Sequence, residues 1–427
     1  MLLAACLAFI PLLSTQEGAP VVHVLATVPD GCEVKPDTLR FSANGTTVAY
    51  VAVRGKKQHA VTGNRLGDDF EEVLAPVIDR LGEHVAFRGI DYPKRDEPRY
   101  TLLFDGKKLA SDAWIGPVAL APLDSTPAFW QAGSWRHEAL AVRVPTGCTL
   151  NFGKKRVSKW EKADSLQSPV FSDDGRFLYS VGSRQEDWDI VVYDLKGKDS
   201  VMTGYFVVEV RVRPDGGELV VTKQTSASFN RRAYQTAKLV VARIPTNIKR
   251  GYEGVVTLGE GYRTTGGPIY SSDGKHVAYR ACRNKKFGVA VDATTADCVH
   301  GYVDEFVFAP TSKRVAYSAI DDYLVELDNG AQALDGVVKI ADGGWFVVWG
   351  EQKSAEFERT KLLRWSPDGS RVAFAGKRGG EWRVHVGEKS SDPFDEIADV
   401  AWSLDGKLVW CGARRGRELV WAPLVIE

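Results

Sequence analysis

Seven histidines, His23, His59, His84, His137, His276, His300 and His385, are the side chains best suited to acid–base or metal chemistry near neutral pH. Their spacing supports neither. No two stand at the His-Glu-x-x-His interval that puts a pair on one helix face around a metal. His84 and His276 each come directly before Val-Ala, which assigns them to a strand surface. Aspartates offer a second possibility: Asp173, Asp215, Asp273, Asp368 and Asp405 could ligate calcium or act as acids. They recur, however, at one kind of turn, and a carboxylate repeated in that way builds the turn. A serine hydrolase would need Gly-x-Ser-x-Gly on a strand–turn–helix, and the pentapeptide is absent. The six cysteines contain no Cys-x-x-Cys pair, so neither a zinc site nor a redox pair is indicated, and small buried thiols are expected. There is no phosphate loop and no dinucleotide fingerprint. The residues therefore predict no catalytic set, no metal and no cofactor.

What must position any functional side chain is a repeat. An aromatic residue and Ser lead into x-Asp-Gly, a charged residue, and Val-Ala-Tyr or a close variant. Trp365-Ser366-Pro367-Asp368-Gly369-Ser370-Arg371-Val372-Ala373-Phe374 is the cleanest copy. Phe41-Ser42-Ala43-Asn44-Gly45, Phe171-Ser172-Asp173-Asp174-Gly175, Tyr270-Ser271-Ser272-Asp273-Gly274 and Trp402-Ser403-Leu404-Asp405-Gly406 are further copies. Worn copies start at Ile78, Leu120, Val212 and Phe308. Spacings of 37 to 42 residues match a four-stranded propeller blade, and longer ones of 51, 57 and 58 imply loop insertions. The gap from Phe308 to Trp365 leaves room for a further blade around 344–350.

Each repeat reads as a meander. A short apolar strand ends in the aromatic anchor, and Asp-Gly turns the chain because Gly supplies positive φ. Val-Ala-Tyr opens the second strand, and a basic or Gly-rich turn leads to a third, as in Trp382-Arg383-Val384-His385-Val386. Phe394-Asp395-Glu396-Ile397 is expected to be an outermost strand. No amphipathic helix is found, so strands in a long repeated series favour radial closure. The prediction is an all-β fold: a single β-propeller of four-stranded antiparallel blades, about eight in number, within seven to nine. The last repeat supplies three strands, and Val21-Val22-His23-Val24-Leu25 is placed to supply the fourth.

The anchors resemble the WD40-like (PD40) repeats of TolB-type propellers, over roughly residues 39 to 421. Ser366-Pro367-Asp368-Gly369-Ser370-Arg371-Val372-Ala373-Phe374 is close to that family's Ser-Pro-Asp-Gly-Lys-x-aliphatic-Ala-aromatic core. The resemblance implies a bacterial propeller, often exported, that serves as a protein-interaction platform or as an accessory domain.

Charge adds a distinction between the two ends of such a ring. Lys plus Arg (55) equals Asp plus Glu (55), so net charge selects no partner. The turns between second and third strands are nonetheless repeatedly basic. They carry Lys56 and Lys57; Arg184; Arg283, Lys285 and Lys286; Lys377 and Arg378; and Arg414, Arg415 and Arg417. Converging on one end, these would attract an anionic partner at long range. The expected function is a non-catalytic binding platform for a protein or an anionic polymer, with no specific nucleic acid and a monomeric chain. The alternative is a propeller hydrolase or lyase acting on glycans at the central channel.

Residues 1–18 open with MLLAACLAFIPLL, a run of signal-peptide length and too short to span a bilayer. Leu3-Ala4-Ala5-Cys6 also fits a lipobox. The expectation is a signal peptide at 1–18 and a propeller over 19–427, exported to the periplasm, cell surface or medium of a bacterium. A cytoplasmic protein whose apolar N-terminal run is a buried strand is the alternative.

Overall fold

The structure is a computed structural model that describes residues 20–94, 97–137, 143–163, 168–184, 187–195, 200–204, 207–224, 239–245, 256–259, 264–284, 286–310, 312–321 and 343–426. The leader at 1–18 lies outside the described residues. Lys285 of the basic turns lies outside them as well.

The local chemistry of the repeat is that of its turn. In the copy at Trp365, the Ser366 hydroxyl donates to Asp368 Oδ1 at 2.5 Å. The same carboxylate accepts the Ser370 N–H at 3.0 Å, and Gly369, at φ +66°, returns its N–H to Ser366 O at 2.8 Å. Ser42/Asn44, Ser172/Asp174, Ser271/Asp273 and Ser403/Asp405 repeat the side-chain bond. Asp215, Asp273, Asp368 and Asp405 are therefore spent on their own turns, and in the copy at Phe171 that place is held by Asp174, not by Asp173 as the sequence reading had it. The second strand then runs through the core: Tyr50, Tyr179, Tyr279 and Phe374 are almost fully buried.

The described strands form eight antiparallel sheets and no helix. One sheet has nine strands and carries two turn-bearing units, joined only where Lys162 and Ala163 meet Ser183 and Gly182. We number the units 1 to 9 by the turn each carries, from Phe41 to Trp402. Each unit packs on the next, and the inner strand of unit 9, Glu396–Trp402, packs on the inner strand of unit 1, Arg40–Phe41, so the ring is closed. The architecture is an all-β propeller. The outer strand of unit 9 is His23–Thr27, antiparallel to Glu418–Val425, with His23 opposite Trp421. The joint between units 9 and 1 is tight. A Cβ on Gly45, at φ +68°, would collide with the Trp421 ring, and one on Gly412 would collide with Phe41.

Two details differ from the sequence reading. Trp345–Trp349 is not a separate blade but the third strand of unit 7, paired with Val315–Ile320. The outermost strand of unit 8 is Lys389–Ser390; Phe394 only bridges to Trp382, and Glu396 already starts the inner strand of unit 9. A third feature had no sequence signal. The inner strands of six units carry a register shift, between Ile115/Val118, Val207/Glu209, Gly266/Ile269, Val303/Phe306, Lys361/Arg364 and Ile397/Asp399. Such bulges re-aim side chains and free backbone groups toward the centre of the ring.

Candidate binding faces

Because strands alternate in direction, turns between first and second strands lie at one end of the ring and those between second and third strands at the other. At the Asp-Gly end, neighbouring turns are tied to one another. Thr47 Oγ1 donates to Gly82 O at 2.7 Å, Arg314 to Gly369 O at 2.6 Å and Arg371 to Gly406 O at 2.8 Å. These three residues hold the same place in their repeats, and the acceptor is the carbonyl of the glycine in the next turn. Arg314 and Arg371 also lie over the anchor rings of the following units, Trp365 and Trp402, at 5.2 and 5.4 Å. Those indoles donate backwards, Trp365 to Val307 O and Trp402 to Arg364 O, both at 3.1 Å. The aromatic anchor is thus mortar between units.

His84 and His276 occupy the same place and do something else. Each bonds through Nδ1 to an aspartate of its own unit, Asp105 at 2.7 Å and Asp292 at 2.8 Å. The other oxygen of each aspartate takes the N–H of Val85 or Val277 at 3.0 Å. His300 pairs with Asp321 at 2.6 Å and with the Tyr317 hydroxyl at 3.2 Å. These are internal fastenings.

The opposite end carries the second-to-third hairpins, Arg54–Lys57, Arg283–Lys286, Arg378–Glu381 and Arg415–Glu418 among them. Arg184 sits at such a hairpin opposite Asp187. The cations gather there in company with acids. Lys57 lies 3.8 Å from Asp69, Arg414 is 3.4 Å from Asp395 and 3.7 Å from Glu396, and Arg415 is 3.4 Å from Glu418. Arg417 holds Asp30 and the Val28 carbonyl, fastening the chain beyond His23–Thr27. Arg378 donates to Glu356 O and covers the Phe357 ring, and Lys286 reaches Asp321 O. Lys56 and Arg283 are exposed and Lys377 is half-buried. The surface is mixed in charge.

The bulges bring together a set of charges that sequence reading missed. Arg364 of unit 8 stands between Glu305 of unit 7, at 3.6 Å, and Asp399 of unit 9, at 3.8 Å. Glu305 also accepts the N–H of Leu362, at 2.6 Å, from the bulge where Leu362 takes φ +60°. Burial pushes the carboxyls of Glu305 and Asp399 above the usual range, and Arg364 pulls against it. Burial lowers Lys361, whose ammonium lies 4.5 Å over the Trp382 ring. Nothing in the residue types announced this set, because register shifts assemble it from three units. Among the described residues no His, Cys, Asp and Glu grouping could hold a metal ion, and no helix is long and apolar enough to cross a membrane.

No protein-family model matches the chain, and no curated protein matches it in sequence. Solved structures do. A eukaryotic initiation factor superposes over 89% of this chain and 96% of its own, at 11% identity and a TM-score of 0.51. TolB from Acinetobacter baumannii aligns over 90% of this chain and 78% of its own, at 13% identity and 0.35. The β-propeller domain of the trilobed protease from Pyrococcus furiosus aligns over 76% and 97%, at 12% identity and 0.38. At these identities the likeness is one of fold alone.

Proposed function

We propose that the chain is a non-catalytic propeller of nine blades over 19–427, exported behind a leader at 1–18, that binds a protein partner. The observation that carries this reading is the mixed-charge end. Lys57 and Arg415 stand at hairpin tips paired with Asp69 and Glu418, and Lys56 and Arg378 are exposed at the same kind of tip. Exposed ion pairs are worth only about 0–1 kcal/mol, so they exchange readily for pairs across an interface. A surface of alternating sign complements another protein better than it complements a polymer of one sign.

The test is capture from an envelope fraction by the intact protein and by Lys56→Glu/Lys57→Glu/Arg415→Glu, run alongside a sulfated-polysaccharide column. A partner held by the intact protein and lost by the variant supports the reading. Equal capture by both overturns it, and salt-sensitive retention on the column alone moves the ligand to an anionic polymer.

One observation favours the second reading, a hydrolase or lyase acting on glycans in the channel: two carboxyls that burial raises, Glu305 and Asp399, stand 3.6 and 3.8 Å from Arg364. Turnover of a glycan that disappears in Glu305→Gln and Asp399→Asn would establish it.

A further inference from the structure

A cavity of about 520 Å³ lies away from the mixed-charge end. It is a groove between units 2 and 3 that opens near the Asp-Gly end. One wall is Leu109 and Ala110, on the edge strand Lys107–Asp112. The other side is formed by Gln131, Asn151, Lys154 and Arg156, over a floor at the buried Phe129.

Two matching hairpins frame the groove. Phe104-Asp105-Gly106-Lys107-Lys108 turns from the third to the fourth strand of unit 2, and Phe152-Gly153-Lys154-Lys155-Arg156 does the same in unit 3. Their five cations, Lys107, Lys108, Lys154, Lys155 and Arg156, are exposed. Among the described residues none of the five has a carboxylate within 4.0 Å, unlike many cations at the other end. The nearby acids are engaged: Asp105 by His84, and Asp112 by Gln131 Nε2 at 3.2 Å. Asn151 Nδ2 in turn donates to Gln131 Oε1 at 3.3 Å, which sets the two amides along the wall.

We propose that this groove docks an acidic, extended peptide segment of a partner protein. The cations meet its carboxylates, and Leu109 and Ala110 meet its apolar residues. The edge strand, paired on one side only within its sheet, offers backbone groups to an added strand. The proposal rests on the reading of the chain as a binding platform and places a contact where that reading did not look. The sequence signal was available: Phe104-Asp105-Gly106-Lys107-Lys108 and Phe152-Gly153-Lys154-Lys155 put Gly-Lys-Lys shortly after Phe in adjacent units.

The probe is a fluorescein-labelled octapeptide alternating Glu and Leu, followed by anisotropy with the full chain. Binding is expected, weakening at least tenfold in Lys154→Glu/Arg156→Glu and on raising salt from 50 to 300 mM. It is expected to be unchanged in Lys56→Glu/Lys57→Glu/Arg415→Glu and absent for the alternating Lys–Leu peptide. No binding, or equal binding by both variants, overturns the proposal. So does cosedimentation with phosphatidylglycerol vesicles that is lost in Lys154→Glu/Arg156→Glu while the peptide is ignored, which would make the groove a lipid contact. If the envelope partner is still captured through Lys56, Lys57 and Arg415, only the groove fails. If that capture is indifferent to those residues, the groove test stands unaffected.

Discussion

Units 7 to 9 and units 2 and 3 solve one problem in different ways. Between units 7, 8 and 9, an arginine after each turn reaches across to the next unit, donating to a glycine carbonyl and covering a tryptophan that donates back. In unit 2 the matching residue is His84, which turns inward to Asp105. The turn chemistry is rearranged too. Asp79 stands in the serine place, its Oδ1 taking the N–H of Glu83 and His84, and Leu81 stands in the aspartate place. In unit 3, Ala121 replaces the serine, Asp124 caps Thr126, and Ser125, at φ +56°, takes the positive-φ place usually held by glycine. The joint between units 2 and 3 is a Ser125–Asp79 hydrogen bond of 2.8 Å. The ring thus needs each turn to be satisfied and each joint to be bridged, and several residue sets will do. Where the set is plain, leucines and lysines are left over at the surface.

The largest break in this contrast is at the anchors. Trp402→Ala removes a buried indole that also bonds unit 8, and should cost about 3–5 kcal/mol in urea unfolding. Leu120→Ala, at the half-buried matching place in unit 3, should cost about 1–2 kcal/mol. Equal losses would show that the tryptophans are ordinary core. Next comes the bridge itself. Arg371→Ala should cost about 1–2 kcal/mol, against less than about 1 kcal/mol for His84→Ala, which removes an exposed pair with Asp105 and a stack on Phe104, both within one unit.

Acid should sharpen the same division. Hydrogen bonds from Ser366 and Ser370 hold the Asp368 carboxyl down at about 2, and Asp215, Asp273 and Asp405 are lowered as well. A carboxyl depressed in the folded state stabilises it above the unfolded value of roughly 4, and that support disappears as pH falls through the folded value. The melting temperature should therefore drop between roughly pH 4 and pH 2, and Asp368→Asn/Asp405→Asn should flatten the drop. The smallest effect is His84, raised chiefly by its bond to Asp105. A raised histidine lends stability below its unfolded value of about 6.5 and loses it as pH climbs past the folded one. In His84→Gln the slight loss of stability on alkalinisation should vanish, as read by melting curves across pH 6 to 9.

The architecture was legible because Asp-Gly and its serine are local chemistry, fixed within a few residues of chain. Blade boundaries were harder where turns were rewritten, as at Asp79 and Ala121, and the insertion before Trp345 disguised a third strand as a separate blade. The basic hairpins were legible as positions. Some of their partners were not, because Asp30 and Asp321 come from distant chain segments. The Glu305–Arg364–Asp399 set was invisible for a stronger reason. It depends on bulged register, and a shift of one residue leaves no mark in composition.

The strand His23–Thr27 belongs to the sheet that holds Glu418–Val425, and 389 residues separate Val28 from the Arg417 that grips it. A ribosome adding ~5–20 residues per second makes one long before the other, by roughly 20–80 s. Throughout that interval the early strand has no partner and the growing ring has two open flanks. Completion of the molecule is therefore a late, single event, and a chaperone that shields the first strand would act at the step where aggregation competes with folding.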